Sequence, residues 1–388
     1  MFSRRTDWKL ATNRYSQTLA ELRRSGLKIL DLTVSNPTRA GIAYDREAIL
    51  HALGNSSCLE YDPHPRGLRS ARQEVSGYYR ERGETVDPEA LVLTSGTSEA
   101  YSFVFRLLAD AGDEILVPKP SYPLFEFLAD LEDVRLLDYP LLYDHGWQID
   151  FDSIATAVGD KTRAIVLVNP NNPTGSYVSA AERAALNRLC RQKRLSLLVD
   201  EVFLDYCYQI PAQPSFAVND HTLTFTLSGL SKISGLPQMK LAWISVSGPA
   251  TEVEVAMERL EIIADTYLPL STPVEHSAPA LLAQRKTVQP QLIARVHANL
   301  NELDRQLAEQ AACVRLAVEG GWYAVLRVPV TRSDEDLAIA LLRDRAVAVH
   351  PGHFYDFAQE GFLVLSLITP RDDFRSGIER LLAFFAAD

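Results

Sequence analysis

The sequence has few of the features that mark metal-binding, disulfide-rich or membrane proteins. Its four cysteines form neither a CxxC pair nor a cysteine–histidine cluster with metal-ligand spacing. We therefore expect reduced, buried thiols and predict no metal. No apolar run approaches membrane-spanning length, and no apolar stretch follows the basic N-terminal residues, so we predict a cytoplasmic protein.

Positive charge is also in deficit, with 39 lysines and arginines against 50 aspartates and glutamates and a net charge of −11. This balance disfavours a nucleic acid or an anionic membrane as the main partner. The chain also lacks a strand-linked G-x-G-x-x-G and a G-x-S-x-G elbow. Those two absences disfavour a nicotinamide dehydrogenase and a serine hydrolase.

Short β-branched runs alternate with amphipathic stretches through the middle of the chain, and this rhythm predicts an α/β fold with a mostly parallel sheet covered on both faces. Ligand sites are then expected at the carboxyl ends of the strands. A helical pattern from about Glu275 to Gln310, bent or broken at Pro290, leads into a smaller α+β portion. We predict a large domain at residues 46–280 and a small domain formed by residues 1–45 and 281–388.

A first candidate site lies where an apolar strand ends in Ser95, Gly96 and Thr97 and a helix begins at once. Glycine allows the backbone to approach an anion, and the free amides and dipole at a helix start favour negative charge. The segment therefore resembles a phosphate cradle. A hydroxyl helix cap without any ligand would have the same sequence.

Two further segments follow predicted strands. The run 169–175, which contains two prolines, a glycine and Asn172, is rigid enough to hold an amide against a ligand, although it also suits an ordinary turn. Asp200 ends a buried apolar run, where a carboxylate needs a partner to offset its desolvation. A protonated pyridine nitrogen would be such a partner, and a helix N-cap is the alternative.

Lys232, within the run 228–235, completes a set of motifs whose order resembles the class I/II aminotransferases of the aspartate-aminotransferase superfamily. The resemblance extends from Leu30 to Ser366. It implies a fold-type I, pyridoxal-phosphate-dependent enzyme with a mostly parallel seven-stranded sheet in its large domain. It also implies that Lys232 forms a Schiff base with pyridoxal 5′-phosphate and then serves as the proton-transfer base.

The same resemblance assigns the remaining contacts to the cofactor. Asp200 would keep the pyridine nitrogen protonated, Asn172 would donate to the phenolic oxygen, and Tyr122 would stack on the ring. The phosphate would be held by the cradle residues Ser95, Gly96 and Thr97 together with Lys240. Tyr61 would reach the phosphate of the neighbouring subunit. The last contact implies a homodimer with shared active sites.

Three positions depart from the family pattern. Phe203 replaces a tyrosine that usually donates to the phenolic oxygen, which predicts a higher pKa for the Schiff-base nitrogen. Lys240 replaces an arginine, keeping the charge without the bidentate fork. Val364 replaces the arginine expected to grip the substrate carboxylate.

Because of Val364, the substrate contacts require another explanation. Either another cation binds the carboxylate, with Arg39 preferred over Arg371, or the substrate carries no carboxylate there. A solvated surface role for Arg39 is as compatible with its polar loop. We predict Ser35, Arg39 and Asn172 as substrate contacts.

We therefore expect an aminotransferase that moves an amino group from an amino acid or amine to a 2-oxo acid by a ping-pong mechanism. A lyase, decarboxylase or oxidase on the same fold is the alternative, since pocket geometry decides which bond breaks. A regulator fused to a DNA-binding module is disfavoured, because only about 30 residues precede the first motif and the charge is acidic.

Overall fold

The computed structural model describes residues 1–8, 11–123, 125–208 and 213–386. Within them, the strands are β1 (Leu30–Asp31), β2 (Leu91–Thr94), β3 (Glu114–Lys119), β4 (Arg135–Tyr143), β5 (Trp147–Ile149), β6 (Thr162–Val168), β7 (Ser196–Asp200), β8 (Thr224–Gly229), β9 (Ala242–Ser247), β10 (Val314–Arg315), β11 (Tyr323–Arg327), β12 (Val347–Ala348), β13 (His350–Pro351) and β14 (Phe362–Ser366). The helices are α1 (Arg14–Arg24), α2 (Arg46–Leu53), α3 (Arg69–Glu81), α4 (Thr97–Leu108), α5 (Phe125–Leu131), α6 (Phe151–Ala157), α7 (Ala180–Lys193), α8 (Leu230–Ile233), α9 (Ala250–Tyr267), α10 (Thr272–His276), α11 (Ala278–Ala283), α12 (Arg285–Leu307), α13 (Asp334–Arg345) and α14 (Arg371–Phe385).

The central sheet has the strand order β2-β9-β8-β7-β6-β3-β4-β5. Its interior pairs β4-β3, β3-β6, β6-β7 and β7-β8 are parallel, whereas β9 and β5 run antiparallel to their neighbours. The prediction of a mostly parallel α/β sheet is therefore confirmed. The number of strands was predicted wrongly, because the chain turns back after β4 and adds the short strand β5, giving eight rather than seven in the described part.

The side chains of β6 are buried on both faces of the sheet, because helices cover each face. Val166 packs into a cluster formed with α4 and α9, whereas its neighbours Ile165 and Leu167 pack into a cluster with α6 and α7. Successive side chains of a strand point to opposite faces, so a continuous apolar run serves two cores. The polar residues that end these strands then lie together at one edge of the sheet.

The N- and C-terminal parts of the chain share a separate core. Here β10, β11, β14 and β13 form an antiparallel sheet packed against α12, α13 and α14, and β1 pairs in parallel with β12. Leu30 and Leu32 are buried in this core, which joins the N-terminal segment to the C-terminal portion. The proposed limits of the two domains remain a prediction.

Of the bend or break predicted at Pro290, the break was wrong, because α12 continues through this residue, and the bend stays a prediction. The long helical pattern is interrupted earlier, where α10, α11 and α12 succeed one another around Ser277 and Gln284. Proline removes one backbone hydrogen bond, but Val288, Leu292 and Val296 bury one side of α12 in the core. Packing of that apolar face outweighs the local loss. Among the described residues, no helix has both the length and the apolar character needed to cross a membrane.

Candidate active site

A cavity of about 230 Å³ opens at the carboxyl ends of β6, β7 and β8. The strands bring together residues that are far apart in sequence, because parallel strands end at the same edge. Its lining comprises Ser35, Thr97, Ser98, Tyr101, Tyr122, Phe125, Val168, Asn172, Asp200, Val202, Phe203, Gly229, Ser231, Lys232, Ala242 and Tyr323. Seven of the sequence-predicted residues are in this list: Ser35, Thr97, Tyr122, Asn172, Asp200, Phe203 and Lys232.

Asp200 is the last residue of β7 and lies at the base of the cavity. Its carboxylate accepts hydrogen bonds from the Val202 amide at 3.1 Å and from the Tyr101 hydroxyl at 3.2 Å. Burial raises the pKa of Asp200 to about 6, while the two hydrogen bonds and the Lys232 charge oppose that rise. A cationic group bound beside this carboxylate would therefore be favoured.

Lys232 lies in the short helix α8, which begins directly after β8. Its Nζ is 5.1 Å from the centre of the Trp322 ring and 5.5 Å from that of Phe203, and the two rings meet edge to face. Burial lowers the pKa of Lys232 to about 8, with Asp200 acting in the opposite direction. About a tenth of this amine is thus neutral and nucleophilic at pH 7, far more than for an ordinary lysine.

Asn172 lies in a loop that hydrogen bonds of the preceding residue, Asn171, hold in place. The Asn171 side chain donates to the Pro120 carbonyl at 3.0 Å and to the Thr174 hydroxyl at 2.9 Å, while its backbone amide donates to Ser176. Asn172 itself is buried, and its Oδ1 has no hydrogen-bond partner among the residues that the structure describes. A buried polar group without a partner is costly, so this amide is suited to a ligand.

The predicted phosphate cradle lies at the start of α4, with Gly96 as the N-cap residue. Lys240 Nζ is 3.4 Å from the position that a β-carbon would occupy at Gly96, so glycine leaves room between the cradle and the ammonium group. Thr97 lines the cavity, whereas Ser95 and Gly96 are not among its described lining residues. The Ser95 amide already donates to the Glu99 carboxylate at 2.6 Å. The free positive charge at the cradle therefore comes from Lys240.

Two predicted aromatic contacts occupy different places. Tyr122 is partly exposed at the rim of the cavity, and burial of its ring raises its pKa, with a smaller contribution from Asp200. Tyr61 lies on the surface, with 68% of the residue exposed, and does not line the chain's own cavity. Its exposure leaves the side chain available to a second subunit.

The C-terminal part closes the cavity with Tyr323 of β11, near Ser35 of the N-terminal segment. Val364 is buried in β14, where its β-strand partners are Val325 and His350. Arg39 ends a short 3-10 helix, and Arg371 begins α14; both are exposed and lie outside the cavity lining. Lys232 is the sole lysine or arginine in the described lining.

Four polar residues of the lining were missed by the sequence analysis: Ser98, Tyr101, Ser231 and Tyr323. Ser98 and Ser231 could have been selected, because each is next to a residue that was. Tyr101 is one helical turn beyond Thr97, so its approach to Asp200 follows from helix periodicity. Tyr323 belongs to a distant strand, and no local pattern indicates where it lies.

The residues present fit the pyridoxal phosphate that the sequence implies. The unpartnered Oδ1 of Asn172 lies in the same cavity as the Lys232 amine and the Asp200 carboxylate, both half-buried. This set suits a ring that bears a hydroxyl, an aldehyde and a basic nitrogen. Beside this cavity, the Gly96 cradle and Lys240 provide the room and charge that a phosphate requires.

Comparison with known proteins agrees with this fit. A family model described as aminotransferase class I and II matches residues 28–381. The chain is 27% identical to a glutamate-pyruvate aminotransferase AlaA of Haemophilus influenzae, over 89% of this chain and 88% of that protein. It is 26% identical to an alanine aminotransferase of Mycobacterium bovis, over 96% and 89% of the respective chains.

Solved structures have the same fold. An alanine aminotransferase from Pyrococcus furiosus superimposes with a TM-score of 0.90 and 22% identity, each chain being covered completely. An aminotransferase from Escherichia coli gives a TM-score of 0.87 at 23% identity, over 100% of this chain and 98% of that one. At these identities the likeness extends to the architecture.

Proposed function

The chain belongs to the class I and II aminotransferase family, and from this premise we propose how its cavity performs the reaction. The protein is a pyridoxal-phosphate-dependent aminotransferase. We propose that it moves an amino group from an amino acid or amine to a 2-oxo acid in two half-reactions. The observation that supports this assignment most strongly is that the half-buried side chains of Lys232 and Asp200 line one cavity.

When bound, pyridoxal phosphate supplies an electron-withdrawing ring that stabilises negative charge at the reacting substrate carbon. Asp200 would hold the proton on the ring nitrogen. This half-buried carboxylate, with a pKa near 6, gains a partner for its charge there, and the hydrogen bonds from Tyr101 and Val202 fix its orientation. The Asn172 amide, which has an unpartnered oxygen among the described residues, would form a hydrogen bond with the phenolic oxygen of the cofactor. Because O and N of an amide are interchangeable by rotation, it can serve as the donor.

Lys232 has two roles in this proposal. Its ε-amine binds the cofactor covalently, and after a substrate amine takes its place, the freed amine moves a proton at the substrate carbon. Burial keeps much of this amine neutral near pH 8, and Phe203 and Trp322 confine it from the side. Confinement limits the directions from which the amine can reach a substrate.

The phosphate would be held by Ser95, Gly96 and Thr97 together with Lys240. Tyr122 would cover the ring from the cavity rim. Ser35, Asn172 and Arg39 stay our predicted substrate contacts. Of these, Ser35 and Asn172 line the cavity, and Arg39 would have to swing inward from the surface.

The names of the relatives suggest which substrates to try. Proteins named glutamate-pyruvate, alanine and tyrosine aminotransferases are among them, so glutamate, alanine and tyrosine are the first donors to test. We expect each productive donor to convert the bound cofactor to its amine form in a single turnover without added acceptor. Addition of a 2-oxo acid should restore the starting absorbance. Release of ammonia or carbon dioxide instead would favour the lyase or decarboxylase alternative.

We further propose a homodimer, formed on a surface that includes α2 and the 3-10 helix Ser56–Leu59. Leu50, Leu59 and Tyr61 are 70%, 89% and 68% exposed, and both elements pack beside α10. Exposed large apolar side chains grouped in this way often mark an interface. Light scattering of the purified protein should give twice the chain mass, and Leu59→Glu should reduce it to that of one chain.

The cytoplasmic location stays a prediction.

A further inference from the structure

The register of the small antiparallel sheet defines the surroundings of position 364. Val364 pairs with Val325 on one side and with His350 on the other, and Tyr323 pairs with Ser366. Directly paired residues point to the same face of a sheet, as do residues two apart on one strand. Tyr323, Val364 and His350 therefore share one face, with Tyr323 as the diagonal neighbour of position 364.

His350 does not replace the expected arginine as a cation. Its Nδ1 is 3.1 Å from the Tyr355 hydroxyl, and burial lowers the pKa of the imidazole to about 4, with Asp31 opposing. The imidazole is neutral near pH 7 and already has a hydrogen-bond partner. Val364 contributes only apolar surface, and in the described lining of the cavity the positive charge comes from Lys232.

Tyr323 and Ser35 bring two hydroxyls to this part of the cavity. Tyr323 belongs to β11, whereas Ser35 follows β1, so the two meet only in the folded protein. Burial and the nearby Tyr122 raise the pKa of Tyr323, while the hydroxyl of Ser35 lowers it. The phenol therefore stays protonated at all physiological pH values and can donate a hydrogen bond.

We propose that Tyr323, assisted by Ser35, recognises the substrate carboxylate through hydroxyl donors in the place where relatives use an arginine. This inference rests on the proposed aminotransferase function and names the residues that select its substrates. The phenol extends from the same sheet face as position 364, and the serine lies beside it. Neutral donors can satisfy carboxylate oxygens, but each bond is weaker than one from a guanidinium. The site should consequently bind amino acids with modest affinity and discriminate weakly against amines.

The test compares matched pairs of substrates that differ only in the carboxylate: alanine with ethylamine, and tyrosine with tyramine. Single-turnover rates of the holoenzyme are measured from the absorbance of the bound cofactor. We expect Tyr323→Phe to lower kcat/KM for the amino acids roughly 10- to 100-fold, as for a lost hydrogen bond to a charged group. The rate with each amine should change by less than about 3-fold. Ser35→Ala should cause a smaller loss with the same selectivity.

A binding measurement supplements the rates. Titration calorimetry with 3-phenylpropionate, a carboxylate that has no amine, should give a weaker Kd in Tyr323→Phe than in the wild type. Tyr355→Phe is the matched control, because it removes a nearby phenol hydroxyl that bonds to His350 and does not line the cavity. It should bind 3-phenylpropionate as the wild type does.

Each remaining outcome has a defined meaning. If Tyr323→Phe lowers kcat/KM equally for an amino acid and its matched amine, or for neither, the proposed role of Tyr323 is overturned. A wild type that prefers the amines would also overturn it, while leaving the aminotransferase assignment intact. Selective loss for amino acids in Arg39→Ala but not in Tyr323→Phe would assign the carboxylate to Arg39. A wild type that converts none of the four compounds or the other donors would instead refute the proposed function itself.

Discussion

The hydroxyl of Tyr101 donates a hydrogen bond to the Asp200 carboxylate across 3.2 Å. Tyr101 lies in α4, which packs on one face of the sheet, and Asp200 ends β7 at the sheet's edge. Burial favours the neutral carboxyl group, whereas the Val202 amide, this bond from Tyr101 and the Lys232 charge favour the ionised form. The pKa of about 6 is the balance among these effects.

Replacing Tyr101 with phenylalanine should therefore raise the pKa of Asp200. At pH 6 more of the carboxyl group is then neutral, and we expect pyridoxal phosphate to bind about 3- to 10-fold more weakly than to the wild type, with little difference at pH 8. Fluorescence titration at both pH values measures this. Tyr139→Phe is the control, because Tyr139 is equally buried but donates to the Val166 carbonyl. A loss that is the same at pH 6 and pH 8 would contradict the prediction.

Asp200→Asn should stabilise the cofactor-free protein at alkaline pH while abolishing activity. Because folding raises the pKa of Asp200 from 3.8 to about 6, its stabilising contribution is complete below pH 3.8 and is lost as pH rises through 6. Asparagine stays neutral throughout. Urea unfolding should thus show a gain of roughly 2–3 kcal/mol at pH 9 that falls to about 1 kcal/mol at pH 4.5. An equal gain at both pH values would mean that desolvation of the charge is not the cause.

Capture of pyridoxal phosphate by the cofactor-free protein should follow the titration of Lys232. Only the neutral amine attacks an aldehyde, and burial lowers the pKa of this amine from 10.5 to about 8. The rate should rise about 10-fold between pH 7 and pH 9 and then level off. Borohydride reduction followed by peptide mass analysis should locate the label at residue 232. A rate that continues to rise towards pH 10.5 would indicate an ordinary exposed lysine.

Lys240→Met should weaken binding of pyridoxal phosphate by roughly 10- to 100-fold, because it removes the cation beside the Gly96 cradle. Lys240→Arg should retain the affinity. The informative comparison is with pyridoxal, which lacks the phosphate and should bind the wild type and Lys240→Met equally well. A parallel loss of pyridoxal affinity would point to a disturbed fold rather than a missing phosphate contact.

Phe203→Tyr tests the departure from the family pattern. Phe203 is buried against Trp322 and Tyr206, close to the Lys232 amine. A hydroxyl added here would donate to the phenolic oxygen of the cofactor and weaken that oxygen's hold on the imine proton. The pH midpoint of the cofactor absorbance change should fall by about one unit. An unchanged midpoint would show that the phenol does not reach this oxygen.

Much of the fold could be read from local patterns. The buried run of β6 and the polar residue that ends β7 both follow from period-2 side-chain alternation and from the way parallel strands end together. These rules placed Asp200, Asn172 and Lys232 at or shortly after strand ends, and their order along the chain matched the motifs of the family. The expected break at Pro290 was wrong, because the buried face of α12 outweighs proline's local preference.

The sequence by itself determined the family, because an amine, a carboxylate and an amide near strand ends occur in the order of its motifs. Only the tertiary structure decided which groups lie together around the cavity. Tyr323 and Ser35 are nearly 300 residues apart, and they approach each other because β11 and the segment after β1 pack in one core. Arg39, the local candidate for the carboxylate, lies exposed outside the lining, since its position depends on packing that no short pattern records.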